Sequence, residues 1–131
     1  MMLDFYSPDG SVKLTVEDDG KVAYGYLKMD NRIVGDVWLY NRIQAPPKSE
    51  WANKANIPFA NCEEFVLEGG TILRPVAPNE ISAEWENGLD AYVYVREDLF
   101  AVVGVGDKPG YARYAASDSP LARVMQIAPE T

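Results

Sequence analysis

Apolar and polar residues alternate with period two along much of this chain, the spacing of strands with one buried face. Val12, Leu14 and Val16 alternate with Lys13, Thr15 and Glu17, and Asp18-Asp19-Gly20 then supplies hairpin turn residues. The pattern continues as strands over residues 21–29 and 32–40, separated by Asp30-Asn31. Further along, Ile81, Ala83 and Trp85 alternate with Ser82, Glu84 and Glu86. Asn87-Gly88 is a strong hairpin signal, and residues 89–96 and 99–106 read as two more strands joined at Glu97-Asp98.

The two halves share this pattern. Ala-Tyr-x-Tyr-apolar-basic-x-Asp occupies residues 23–30 and recurs at 91–98. Val34-Gly35 answers Val103-Gly104, and Tyr40-x-Arg42 answers Tyr111-x-Arg113. The expectation is one domain over residues 1–131, with an internal repeat at about 11–42 and 80–113 joined by a connecting segment, 43–79. Its fold is mainly β, with antiparallel sheets from two three-stranded repeats packed as a sandwich or an open barrel. One or two short helices leave an α+β arrangement open. Asn61 is placed as an N-cap with Glu64 reaching back, for a helix running to about Glu68 and stopping at Gly69-Gly70. Residues 71–76 read as an extra strand. Ser119-Pro120 starts a short terminal helix, or a strand, over 119–127.

The stretch VVGVGDKPGYAR, residues 102–113, holds Gly104, Gly106 and Gly110. A phosphate loop would have to open a helix and carry Gly-Lys-Ser or Gly-Lys-Thr. This stretch does neither. It reads as a strand ending in a turn, its glycines marking bulges or close backbone packing.

Composition narrows the function classes. The net charge is −8, which repels phosphate backbones and argues against nucleic acid. The same charge suits a basic protein partner. No apolar run is long enough to span a membrane, and MMLDFYSPDG lacks the look of a signal peptide, so a cytoplasmic location is expected. The single cysteine, Cys62, forms no internal disulfide and reads as a small packed residue. Histidine is absent, which removes Ser-His-Asp and Cys-His catalysis and the usual zinc sites. Neither a metal nor a cofactor is expected, and no catalytic residue is assigned. The paired acids fall at turns or on solvent faces, where charge is ordinarily solvated.

Two candidate sites remain. Tyr24 and Tyr26 share one strand face, and Tyr92 and Tyr94 share another, with Lys28 and Arg96 continuing them. Ala23, Gly25 and Leu27, and Ala91, Val93 and Val95, then face the core. The four tyrosines, together with Asp18, Asp19, Glu84 and Glu86, form a candidate protein-binding set, since tyrosine is enriched at binding hot spots. The second candidate is a ligand site of Asp36, Trp38, Tyr40 and Arg42, met by Asp107, Tyr111 and Arg113 if the halves pack about a twofold axis. In its plainest form, Asp36 simply pairs with Arg42 or Arg113.

With its Tyr-x-Tyr strand before IVGDVWLYNR, and VVGVGDKPGYAR in the second half, this small acidic chain resembles the immunity proteins of bacterial polymorphic toxin systems and related uncharacterised bacterial proteins. The resemblance implies a non-enzymatic domain that binds a cognate toxin, here a basic one, and blocks its active site. It assigns no individual residue. The alternative is a small-ligand-binding β domain using the ends of the two repeats.

Overall fold

The computed structural model describes residues 1–51 and 58–126. Its strands form two sheets. The first is antiparallel, in the order β1 (Met2–Tyr6), β2 (Lys13–Asp18), β3 (Val22–Met29), β4 (Arg32–Asn41). The second runs β5 (Ile81–Glu86), β6 (Asp90–Val95), β7 (Asp98–Gly104), β8 (Tyr111–Ala112), β9 (Arg123–Val124), with β8 and β9 parallel. The sheets share one core, in which β4 packs against β7 and β8, and neither closes into a barrel.

The inner faces follow from the alternation. Leu3, Val16, Gly25 and Val37 form one row across the first sheet; Phe5, Leu14, Leu27 and Gly35 form the next. Ala91, Val93 and Val95 face them from β6, fully buried. Each fully buried leucine or valine contributes roughly 1.5–3 kcal/mol. The expected core faces of both halves are correct.

Both hairpins that join the second and third strands of a half turn through two left-handed residues. These are Asp30 and Asn31 (φ 51° and 64°) and Arg96 and Glu97 (φ 50° and 70°). Such mirror turns match the twist of the flanking strands. The second turn comes one residue earlier than expected. Lys28 therefore sits in β3, while its counterpart Arg96 sits in a turn and pairs with Glu80 at 2.7 Å.

The expected helices do not form. Among the described residues only two three-residue 3-10 turns occur, at Glu63–Phe65 and Pro78–Glu80. Asn61 is not an N-cap. Its N–H donates to Asn41 Oδ1 (2.8 Å), its carbonyl accepts from Asn41 Nδ2 (2.7 Å), and Cys62 stands at the cap without a side-chain bond. Leu67 N–H donates to the Tyr114 carbonyl, and Ala116 N–H to that of Phe65, both at 2.8 Å. Pairing with a distant segment thus takes the backbone groups a helix would need. The terminal segment is the strand alternative, β9, whose Arg123 N–H donates to the Gly110 carbonyl (2.8 Å). Residues 71–76 form no strand beyond one bridge between Asn41 and Thr71.

The halves join along the free edge of β4. Gly106 N–H donates to Val34 (2.7 Å), Asp36 N–H to Asp107 (2.9 Å), Gly110 N–H to Asp36 (2.7 Å) and Trp38 N–H to Leu121 (2.9 Å). A side chain on Gly35 would lie 2.8 Å from the Gly104 carbonyl oxygen. The glycine stretch is a strand end followed by a turn, and its glycines permit backbone to lie on backbone.

Candidate functional site

Among the described residues, the outer face of the second sheet presents exposed and half-buried side chains. One row of side chains crosses all five of its strands: Glu84, Tyr92, Val102, Tyr111 and Arg123. Ser82, Tyr94 and Leu99 flank it on one side, Glu86 and Asp90 on the other. The tyrosines reach diagonally toward the edge strand. Tyr92 Oη donates to Glu86 Oε2 (3.1 Å), and Tyr94 Oη to Glu84 Oε2 (3.4 Å). The bond to Glu86 pushes the Tyr92 phenol pKa up; burial, then Glu84, does so for Tyr94. Both therefore remain donors at neutral pH.

Charge is graded across this face. Residues 80–98 carry six carboxylates and one arginine, Arg96, which is held by Glu80. At the far edge, Arg123 lies 4.2 Å over the Tyr111 ring and bonds Asp107 Oδ1 (3.1 Å) and the Pro109 carbonyl (2.8 Å). Beside it, Val102, Tyr111, Val124, Met125 and Gln126 line a shallow depression of about 470 Å³. Aromatic anchors, a polar rim and arginine are the ingredients of a protein interface. Arg123 and Val102 were not among the expected residues. The strand parity that places Tyr92 outward could have found Val102, but Arg123 comes from a segment whose pattern also fits a helix.

The rest of the expected protein-binding set lies elsewhere. Asp18 is buried, 4% exposed, and is no surface acid. It accepts from Arg42 Nη1 through both oxygens (3.0 Å each), from Tyr40 Oη (2.9 Å) and from Gly20 N–H (2.9 Å). Asp19 is exposed in the hairpin and accepts from the Lys21 and Val22 amides. Tyr24 is buried and Tyr26 half-buried, because the connecting segment covers the first sheet at Pro58-Phe59. Tyr24 Oη donates to the Phe59 carbonyl. Only Glu84, Glu86, Tyr92 and Tyr94 come together.

The expected ligand constellation is dispersed. Tyr24 pairs with Trp38, but its neighbour Ala23 pairs with Tyr40, so Leu39 is an extra residue in β4. This bulge sends Tyr40 to the opposite face from Asp36 and Trp38. Trp38 is buried and donates to Asn41 Oδ1 (3.0 Å). Tyr40 and Arg42 belong to the Asp18 cluster, and Arg42 Nε also bonds the Ile72 carbonyl (3.0 Å). Asp107 and Tyr111 join Arg123 on the second sheet, while Arg113 lies 5.5 Å over Tyr114. Asp36 forms no ion pair with Arg42 or Arg113; its main chain meets Asp107 and Gly110, but its carboxylate stands beside Tyr26 on the first sheet. Among the described residues no three Asp, Glu or Cys side chains converge as a metal site would require. No family model, no curated protein and no solved structure matches the chain.

Proposed function

We propose that this chain is a non-enzymatic protein-binding domain, a sandwich of two sheets that recognises a basic partner through the outer face of the second. The observation that carries this reading is the continuous row Glu84-Tyr92-Val102-Tyr111-Arg123, whose side chains are exposed or half-buried among the described residues. Carboxylates at the β5–β6 end would steer a cationic surface into place, which raises association rates by roughly 10–1,000-fold. The tyrosines would then exclude water around the contact, where their hydroxyls are already oriented by Glu84 and Glu86. Inhibition of a basic toxin, in the manner of the immunity proteins the chain resembles, is the form of this function we favour.

The test is affinity capture from the native source at low and high salt, with the wild-type chain beside Glu84→Lys/Glu86→Lys and Tyr92→Ala/Tyr94→Ala variants. A single basic protein retained stoichiometrically by the wild type at low salt, and lost by both variants, is the expected result. Equal retention by the variants would remove this face from the function. No retained protein at either salt would remove the protein-binding reading.

A further inference from the structure

We propose a second, separate site: a cleft on the first sheet that binds an alkylated ammonium group. Its floor is the outer face of β3 and β4, where Tyr26 and Asp36 are direct cross-strand partners. Tyr24 lies beside Tyr26 with ring centroids 6.0 Å apart and planes inclined by 30°. Pro58-Phe59 forms one wall and Pro120-Leu121 the other, bounding an open cleft of about 190 Å³. Three aromatic side chains and one carboxylate thus surround a small space. Aromatic faces attract cations, most strongly where water is excluded, and a carboxylate adds a full opposite charge.

The cleft is built, not incidental. Tyr24 Oη holds the Phe59 wall through its carbonyl, and Trp38 N–H holds the Leu121 wall at 2.9 Å. The Asp36 main chain is fixed on both sides, by Asp107 (2.9 Å) and Gly110 (2.7 Å), which holds the backbone that carries the carboxylate at the cleft. Among the described residues that carboxylate accepts no hydrogen bond and joins no ion pair. Burial raises its pKa, and the charge of nearby Lys108, which forms no ion pair with it among the described residues, offsets that only in part. A bare anion is repelled by the same carboxylate, and a neutral apolar group would add to its desolvation without adding a charge to meet it. An alkylated ammonium satisfies the rings and the carboxylate together. Such a group could be borne by a free small cation or by a methylated lysine of a protein.

The site lies on the opposite sheet from the proposed protein-binding face, so either can fail alone. The test is an NMR titration of the full chain with choline, with the uncharged tert-butyl isostere of choline, and with a trimethyllysine peptide beside its unmethylated parent. Saturable shifts confined to Tyr24, Tyr26, Leu121 and their neighbours are expected, with the isostere roughly tenfold weaker. Asp36→Asn and Tyr26→Leu should each weaken choline roughly tenfold, and Glu84→Gln should change nothing. Asp36→Asn preserves side-chain shape, so it decides the matter if Tyr26→Leu does not fold. Tighter binding of the methylated peptide than of choline would assign the group to a protein; the reverse would assign a free cation. Absence of saturable shifts, equal binding of the isostere, or unchanged binding by Asp36→Asn would each overturn the proposal.

Discussion

Asp18 and Asp19 are adjacent acids in one hairpin, yet replacing them should have very different consequences. Asp18→Ala removes the acceptor of Arg42 and Tyr40 at once. The Arg42 side chain is only 13% exposed, and Tyr40 is fully buried. Breaking one side of a buried ion pair costs about 3–5 kcal/mol. The stranded Tyr40 hydroxyl lies within that loss, so about 4 kcal/mol is expected. For a domain of this size each kcal/mol lowers Tm by about 3–4 °C, giving a fall of about 12–16 °C. Asp19→Ala removes two bonds at an exposed turn, about 1 kcal/mol and about 3–4 °C. Calorimetry and urea unfolding of both variants measure this directly. A double-mutant cycle with Arg42→Met should show the pair destabilising less than additively, since neither charge is then left alone. If Asp18→Ala is no worse than Asp19→Ala, the buried cluster does not exist as described.

Three further outcomes follow from the structure. Gly35→Ala places a methyl group 2.8 Å from the Gly104 carbonyl and should cost about 1–3 kcal/mol in urea unfolding; a neutral result would show that the halves do not meet so closely. Asn41→Leu breaks three side-chain bonds to Trp38 and Asn61 and should cost about 3 kcal/mol. Asn61→Leu should cost far less by the same assay, because the Asn61 side-chain amide is buried without a partner. Burial raises the Asp36 pKa, so the folded chain keeps a proton there that the unfolded chain, near 3.8, has released. Its contribution to stability is therefore full in acid and lost as pH rises from about the unfolded value through the folded one. Asp36→Asn should raise Tm at neutral pH, with the gain shrinking toward acid; no gain at neutral pH would contradict the burial.

Much of the strand pattern was legible because a half-buried strand writes its two faces into alternate residues. Ala91, Val93 and Val95 against Tyr92 and Tyr94 is the clearest case. The alternation could not show where β4 bulges, and one extra residue at Leu39 was enough to send Tyr40 away from Asp36. Nor did it stand out at β1, where Leu3 and Phe5 alternate with Asp4 but the outer face also carries apolar Met2, 63% exposed, and Tyr6. The helix at Asn61 failed for a different reason. Its capping residues were present, but Tyr114 and Ala116 claimed the backbone first, and such a partner is remote in sequence. Asp18 was taken for a surface acid because turn residues usually are. What buried it was Arg42, which lies beside it only once β3 has paired with both neighbours.

The same Tyr-x-Tyr pattern has different fates in the two sheets, and this is why the proposed basic partner is assigned to the second. On the first sheet, Pro58-Phe59 and Leu121 cover it, and Lys13 stands directly opposite Lys28 on the remaining outer surface. On the second, the tyrosines stay accessible beside Glu84, Glu86 and Asp90. The net charge of −8 is therefore unevenly placed, and position can be tested separately from total. Glu84→Lys/Glu86→Lys and Glu63→Lys/Glu64→Lys change the overall charge equally, and all four residues are exposed. Surface substitutions of this kind shift stability by only about 0.5 kcal/mol. If general attraction drives association with a basic partner, both pairs should slow it alike. If the second-sheet face is the contact, stopped-flow association at low salt should slow about tenfold or more for the first pair and far less for the second, with the gap closing at high salt. Equal slowing would leave the acidity of the chain as a bulk property and the tyrosine row without a role in recognition.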